Sequence, residues 1–128
     1  TMNHLMQFAL VGLAGAAGTL LRAGCTGLAT RLVGSGFPWG TLAVNVAGSF
    51  AFGAIMGWVR SRDALPGSPE MILLVGLLGG FTTYSSYAFQ SVELVEGGRP
   101  LEAAAYVVAT NLLALAAAWA GLRCMAGP

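Results

Sequence analysis

The sequence predicts an all-α membrane protein, built as a single domain (residues 1–128) of four transmembrane helices. Only 9% of its 128 residues are charged and 56% are hydrophobic, whereas about 25% of the residues of a soluble protein are charged. Four apolar stretches, each near or above the roughly 20 residues that cross a bilayer, alternate with short polar turns. Because so few charges could not cover a water-facing surface, we expect the solvent to be largely lipid.

The first two spans are predicted at residues 5–32 and 38–60. The first stretch carries no charge from Phe8 to Leu21, and past Arg22 it is apolar again up to Thr30. The second is uncharged from Leu32 to Val59. A Gly-Ser-Gly turn signal lies between them, and Pro38 is a favourable helix start. Because Thr1 precedes Met2, we expect Met2 to be the natural first residue and see no cleavable signal.

The last two spans are predicted at residues 70–95 and 101–124. A polar loop with two prolines precedes the third span, and the tight turn EGGRP at residues 96–100 separates it from the fourth. Pro100 suits the first turn of the last helix. Four crossings would place both termini on the same side of the membrane.

The middle of the third span is unusually polar for a transmembrane helix. It reads GGFTTYSSY at residues 79–87, with two adjacent glycines and four Ser or Thr hydroxyls. Glycine costs a helix about 1 kcal/mol, and Ser and Thr side chains compete for backbone hydrogen bonds. We therefore expect a break in the third helix, of the kind that builds ion sites at mid-membrane. A kink that serves packing alone is the alternative.

The first three spans contain three motifs: GTLLR at residues 18–22, GTLAVNVAGSF at residues 40–50 and the polar segment at residues 79–87. Together they resemble the motifs of the small fluoride channels of the Fluc (CrcB-like) family. Each is a weak pattern alone, but their order and placement together are specific. The resemblance implies a fluoride-selective ion channel that exports fluoride passively and confers fluoride resistance, with a structural Na⁺ at the dimer interface. It also implies that backbone carbonyls of Gly79 and Thr82 ligate this sodium ion.

The resemblance further implies a fluoride pathway along polar and aromatic side chains. For Tyr106 and Thr110 interhelical hydrogen bonding is an alternative. Arg22 could attract anions, cap neighbouring carbonyls or extend to the membrane interface. Hydroxyl, amide and ring-edge donors suit a small anion because they replace its water without trapping it. The pathway residues are Asn45, Tyr84, Tyr87, Tyr106 and Thr110, with Thr83, Ser85 and Arg22.

The chain also departs from the family pattern at four positions. Tyr84 and Tyr87 stand where phenylalanine is usual, which adds hydroxyls to the pathway. Gln90 stands where many members have glutamate, and Ala114 stands where a small hydroxyl residue is frequent. These differences concern the details of the pathway and leave the family resemblance intact.

The arginines give almost no orientation signal. Arg60, Arg62 and Arg123 fall on the side of the N-terminus, and Arg22, Arg31 and Arg99 fall toward the opposite side. Positive charge normally sets orientation, so a balanced chain can insert both ways and form an antiparallel, dual-topology homodimer. Alternatively, six arginines are too few to set a preference.

Other classes of function are disfavoured. A small multidrug-type dual-topology transporter is the main alternative, but no Asp or Glu precedes Asp63 to couple protons in the first span. We expect no enzyme activity, because no catalytic set of side chains is evident. No nucleic-acid partner is expected, because basic residues are not clustered. Cys25 and Cys124 are expected to be buried free thiols. The predicted location is the inner (plasma) membrane of a bacterium.

Overall fold

The computed structural model describes residues 2–126, and helices are the only regular secondary structure over that range. Four segments are long and apolar enough to cross a membrane, and the third, Ser68–Glu96, consists of two helices. The predicted all-α class is confirmed. Residues 1, 127 and 128 of the predicted domain lie outside the described range. The expectation that Met2 is the natural first residue depends on residue 1 and so lies outside it as well. The helices are α1 (His4–Val33), α2 (Trp39–Arg60), α3 (residues 68–81), α4 (Tyr84–Glu96) and α5 (Pro100–Met125).

Polar residues begin three of the helices. The Asn3 side chain accepts a 2.8 Å hydrogen bond from the Met6 amide at the start of α1. The Glu70 carboxylate accepts from the Gly67 amide at the start of α3. Arg99 pairs with Glu102 at the start of α5, and this hydrogen bond raises the pKa of the Arg99 guanidinium above its usual value. Side-chain hydrogen bonds to backbone amides therefore fix the starts of α1 and α3, whereas the pair at α5 joins two side chains and caps no backbone group.

Helix α3 has an unexpected π-helical segment. Ser68–Met71 is α-helical, Ile72–Leu78 forms a π-helix, and Gly79–Phe81 returns to α-helix. A π-helix is wider than an α-helix, because each backbone bond spans one more residue, and such segments occur frequently at functional sites. This wide segment leads directly into the predicted break.

Two glycine-rich seams hold the bundle together. In the α1–α3 seam, a Cβ atom at Gly18 would collide with the Leu77 carbonyl. In the α2–α5 seam, a Cβ atom at Gly53 would collide with the Ala118 carbonyl, and one at Gly121 would collide with the Phe50 carbonyl. Helices in lipid associate through such close backbone contact. The seams therefore leave no room for side chains between the paired helices.

The expected burial of the cysteines is wrong. Cys25 and Cys124 are free, as expected, but both are exposed on the single chain. Helix α1 buries only Gly18 among its residues, so most of its surface lies on the outside of the bundle. The exposure of α1 could not be predicted from its apolar composition, because apolar residues are favoured both in contact with lipid and in a protein core.

Candidate functional site

The third span breaks at Thr82 and Thr83, between α3 and α4. Both residues are extended, with φ/ψ of −87°/159° and −152°/119°. The Thr83 hydroxyl oxygen accepts a 3.3 Å hydrogen bond from the Ser86 amide, and the same hydroxyl donates to Ser86 Oγ at 3.1 Å. Thr83 is therefore the N-cap that starts α4.

Side chains from the first two spans hold the break in place. Asn45 Oδ1 accepts from the Thr83 amide at 2.8 Å, and Asn45 Nδ2 donates to the Thr83 carbonyl at 3.0 Å. Arg22 Nε donates to the Gly80 carbonyl at 3.1 Å. Backbone groups at membrane depth must be satisfied inside the protein, and these two residues satisfy three of them. Of the three alternatives predicted for Arg22, the structure shows the capping of a neighbouring carbonyl.

Two carbonyls at the break lose the amides that would pair with them in a continuous helix. The helical partner of the Gly79 carbonyl is the Thr83 amide, which donates to Asn45 instead. The helical partner of the Thr82 carbonyl is the Ser86 amide, which donates to the Thr83 side chain. Gly79 and Thr82 therefore present carbonyl oxygens whose usual donors are engaged elsewhere.

A groove of about 480 Å³ opens beside the break. Helices α2, α3, α4 and α5 all contribute to its wall, and its polar lining consists of amide, hydroxyl and carbonyl groups. It brings together most of the pathway residues that the sequence predicts. The lining includes Asn45, Ser49, Gly79, Thr82, Thr83, Tyr84, Tyr87, Thr110, Asn111 and Ala114.

A row of aromatic rings leads from this groove toward the end of the bundle. Tyr84 contacts Tyr87 edge-on with ring centroids 5.3 Å apart, and Tyr87 contacts Tyr106 at 5.4 Å. Tyr106 contacts Phe37 at 5.4 Å, and Phe37 contacts Trp39 at 4.6 Å. The row ends in a second cavity of about 340 Å³, lined by Phe37, Trp39, Thr41, Gln90, Glu93 and Arg99 among others.

Tyr106 is the residue that separates the two cavities. It is 0% exposed and lines neither of them. Its hydroxyl donates a 2.9 Å hydrogen bond to Gln90 Oε1, which faces the second cavity. The interhelical hydrogen bond that was the alternative for Tyr106 is therefore present, and Gln90 is its acceptor.

The Thr110 hydroxyl differs from that of Tyr106. Thr110 is 6% exposed and lines the groove, and its Oγ1 has no hydrogen-bond partner among the described residues. A buried hydroxyl without a partner costs free energy. Among residues 2–126, Thr110 thus forms no interhelical hydrogen bond, and its hydroxyl oxygen is buried in the groove wall without a partner.

Asn111 is a groove residue that sequence reasoning missed. Its Nδ2 donates to the Tyr87 hydroxyl at 3.0 Å and to the Val107 carbonyl at 2.8 Å. An amide in the middle of an apolar span is a signal that could have identified it. By contrast, Arg22 and Ser85 were predicted for the pathway but do not line the groove.

Known proteins resemble the chain over nearly its whole length. The family model described as "CrcB-like protein, Camphor Resistance (CrcB)" matches residues 9–122. The chain belongs to this family. A relative from Nitratidesulfovibrio vulgaris is 42% identical over 118 residues, which is 92% of this chain and 95% of the relative.

Further CrcB-like relatives agree. A protein of Anaeromyxobacter dehalogenans is 44% identical over 126 residues, covering 96% of this chain and 100% of the relative. A protein of Thermus thermophilus is 41% identical over 117 residues, which is 91% of this chain and 93% of the relative. All three relatives are named "Fluoride-specific ion channel FluC". The family that the three motifs predict is thus confirmed.

Proposed function

We propose that this chain is a fluoride-selective ion channel through which fluoride leaves the cell passively. The proposal is carried by the similarity of the chain to proteins named fluoride-specific ion channels. The alignments cover nearly the whole length of this chain and of each relative. The groove beside the helix break supports it, because its polar lining supplies hydrogen-bond donors at membrane depth. No such observation favours the small multidrug-type transporter.

The arrangement of donors fits a small, strongly hydrated anion. Fluoride can enter the groove only if protein groups replace the water that it loses. Thr110 offers a hydroxyl without a partner, and the ring edges of Tyr84 and Tyr87 carry partial positive charge. Asn45 keeps one amide hydrogen beyond the one that it donates to Thr83. Several weak donors allow an anion both to bind and to leave.

The route that we propose starts at the groove and passes the Tyr87 and Tyr106 rings to the second cavity. The Thr83 hydroxyl stands at its mid-membrane end. Ser85 lies outside the groove lining and is connected to the route only through Thr83, whose Oγ1 is 3.4 Å from Ser85 Oγ. Arg22 contributes indirectly, since it caps the break that shapes the groove. At the far end Gln90 takes part through its hydrogen bond with Tyr106.

We propose that two copies pair as an antiparallel, dual-topology homodimer. Tyr84 is 78% exposed on the single chain, and Ser85 and Asn111 are exposed as well. These polar groups lie near the middle of their spans, where lipid offers no hydrogen-bond partner. A second copy would cover them, and the balanced arginines allow the opposite orientation.

A structural Na⁺ between the two copies is part of the same proposal. Gly79 and Thr82 would hold it through the carbonyl oxygens whose helical donors are engaged elsewhere. Oxygen ligands suit a hard cation, and four carbonyls from two copies need no carboxylate. Bound sodium would fix the two breaks against each other.

The proposed setting is the inner membrane of a bacterium, where the channel would confer fluoride resistance. Four membrane-spanning segments make the chain multi-pass. Hydrogen fluoride crosses membranes as a neutral acid and ionises in a less acidic cytoplasm. A passive channel then releases the trapped anion without an energy source.

Efflux from liposomes tests the function. Purified protein is reconstituted into fluoride-loaded liposomes, and release is followed with a fluoride electrode and compared with chloride release. We expect rapid fluoride release with little chloride release. Proton flux coupled to an organic cation would support the multidrug-type alternative. Absence of any release from folded, incorporated protein would contradict the channel.

A further inference from the structure

The Tyr87 hydroxyl and the Asn111 amide form a pair whose hydrogens can be assigned. Asn111 Nδ2 lies 2.8 Å from the Val107 carbonyl and 3.0 Å from Tyr87 Oη. Flipping the amide would place its oxygen against the Val107 carbonyl, and two acceptors would then face each other. The nitrogen therefore belongs where it stands.

This assignment determines the direction of the bond to Tyr87. An amide nitrogen has two hydrogens and no acceptor capacity, so Val107 receives one hydrogen and Tyr87 Oη receives the other. Tyr87 must accept, and its own hydrogen takes no part in this bond. Among residues 2–126, no acceptor is found for that hydrogen.

The other buried tyrosine hydroxyl is used differently. The Tyr106 hydroxyl donates its hydrogen to Gln90 Oε1 at 2.9 Å and is thereby occupied. Tyr87 is 7% exposed and lines the groove, where the unpartnered Thr110 hydroxyl also lies. The groove wall thus carries hydroxyl groups of two buried residues, Tyr87 and Thr110, and neither hydrogen has an acceptor among residues 2–126.

We propose that the Tyr87 hydroxyl donates its hydrogen directly to fluoride in the groove, and that Asn111 is the positioning residue that keeps this hydrogen available. The proposal rests on the proposed channel function and adds a specific donor to it. An O–H group favours fluoride over chloride, because the smaller anion accepts shorter and stronger hydrogen bonds. A phenylalanine at this position could offer only a ring edge.

Three variants test the proposal: Tyr87→Phe, Asn111→Leu and the double variant. Tyr87→Phe removes one oxygen atom and keeps the ring, so it preserves packing, and Asn111→Leu removes both amide donors at similar size. Gln7→Leu is the control, because it replaces an amide on α1 that does not line the groove. Each variant is reconstituted, and the fluoride concentration that gives half-maximal flux is measured along with the fluoride-to-chloride flux ratio.

We expect Tyr87→Phe to raise the half-maximal fluoride concentration by roughly tenfold or more, since a hydrogen bond to a charged group is lost, and to lower the fluoride-to-chloride ratio. Asn111→Leu should give a smaller rise, and the double variant should match Tyr87→Phe alone. Fluoride should also change the near-ultraviolet absorbance of tyrosine in the wild-type protein. This change should be lost in Tyr87→Phe.

Other outcomes would overturn the proposal in distinguishable ways. A Tyr87→Phe variant with wild-type concentration dependence and selectivity, in a protein that conducts fluoride, would contradict the donor role and leave the channel function standing. An Asn111→Leu effect that persists in full beside Tyr87→Phe would show that Asn111 does not act through Tyr87. Failure of the wild-type protein to release fluoride would contradict the channel and the donor together.

Discussion

The α2–α5 seam and the α3–α4 break differ in how their backbones are packed within the membrane-spanning bundle. In the seam, Gly53 and Gly121 bring two backbones into contact and exclude side chains. At the break, the backbone loses its own hydrogen bonds and Asn45 and Arg22 replace them. The seam therefore stabilises the protein and leaves no cavity, whereas the break lies beside a mainly apolar groove whose few polar groups depend on these side chains. Stability and ion binding should be separable by mutation.

Replacing Asn45 should have the largest effect, because one side chain satisfies two backbone groups. We expect Asn45→Leu to destabilise the protein by about 1–3 kcal/mol for each group left unpaired and to abolish fluoride flux. Thermal unfolding in detergent and liposome efflux measure the two effects. Asn45→Asp is the matched variant, since it keeps the acceptor for the Thr83 amide. Normal flux through Asn45→Leu would show that the break does not need this support.

Adding one methyl group in the seam should lower stability without changing the ion site. A Cβ atom at Gly121 would press against the Phe50 carbonyl, so Gly121→Ala should cost about 1–3 kcal/mol. Gly24→Ala is the control, because a Cβ atom there meets nothing within 4 Å. The free energies of unfolding of both variants would be compared. Equal stabilities would contradict the tight seam.

Bound sodium should stabilise the protein through the α3–α4 break and not through the α2–α5 seam. A cation that binds only the folded state raises its stability by mass action, so Na⁺ should raise the unfolding temperature relative to N-methylglucamine. Gly121→Ala should retain this sodium-dependent increase, and Asn45→Leu should lose it. Replacing sodium throughout purification should also reduce fluoride efflux several-fold. An unfolding temperature that is indifferent to sodium in the wild-type protein would argue against carbonyl ligation by Gly79 and Thr82.

Removing the Arg22 cap should give the smallest effect, because it supports a single carbonyl. Arg22→Leu should reduce stability by about 1.5 kcal/mol, the lower value for a hydrogen bond to a charged group. Arg31→Leu is the control, since no hydrogen bond of the Arg31 side chain is found within residues 2–126. If stability were unchanged and flux fell most at low ionic strength, Arg22 would attract anions instead of capping Gly80.

The architecture could be predicted from the sequence because lipid imposes simple rules. Span lengths follow from bilayer thickness, and the GGFTTYSSY segment at residues 79–87 combines the residues that weaken a helix. The π-helix at Ile72–Leu78 could not be foreseen, since its residues are ordinary apolar ones.

Several residues that line the groove could be predicted from the sequence, but their hydrogen bonds could not. The family resemblance assigns Asn45, Tyr87 and Thr110 to the predicted pathway, and all three line the groove. Their partners depend on the relative rotation of α2, α4 and α5, which a single sequence does not specify. The amide of Asn111 in an apolar span could have identified it as a candidate, but its contact with Tyr87 across two helices could not be deduced from the sequence.

The bond between Asn45 and Thr83 also has a consequence for biosynthesis. The two residues are 38 positions apart, and a chain elongates by about 5–20 residues per second. The second span therefore emerges from the ribosome about 2–8 s before its partner, carrying an amide that lipid cannot satisfy. We expect the second span to remain beside the insertion machinery until the third arrives, so that the two helices enter the bilayer as a pair.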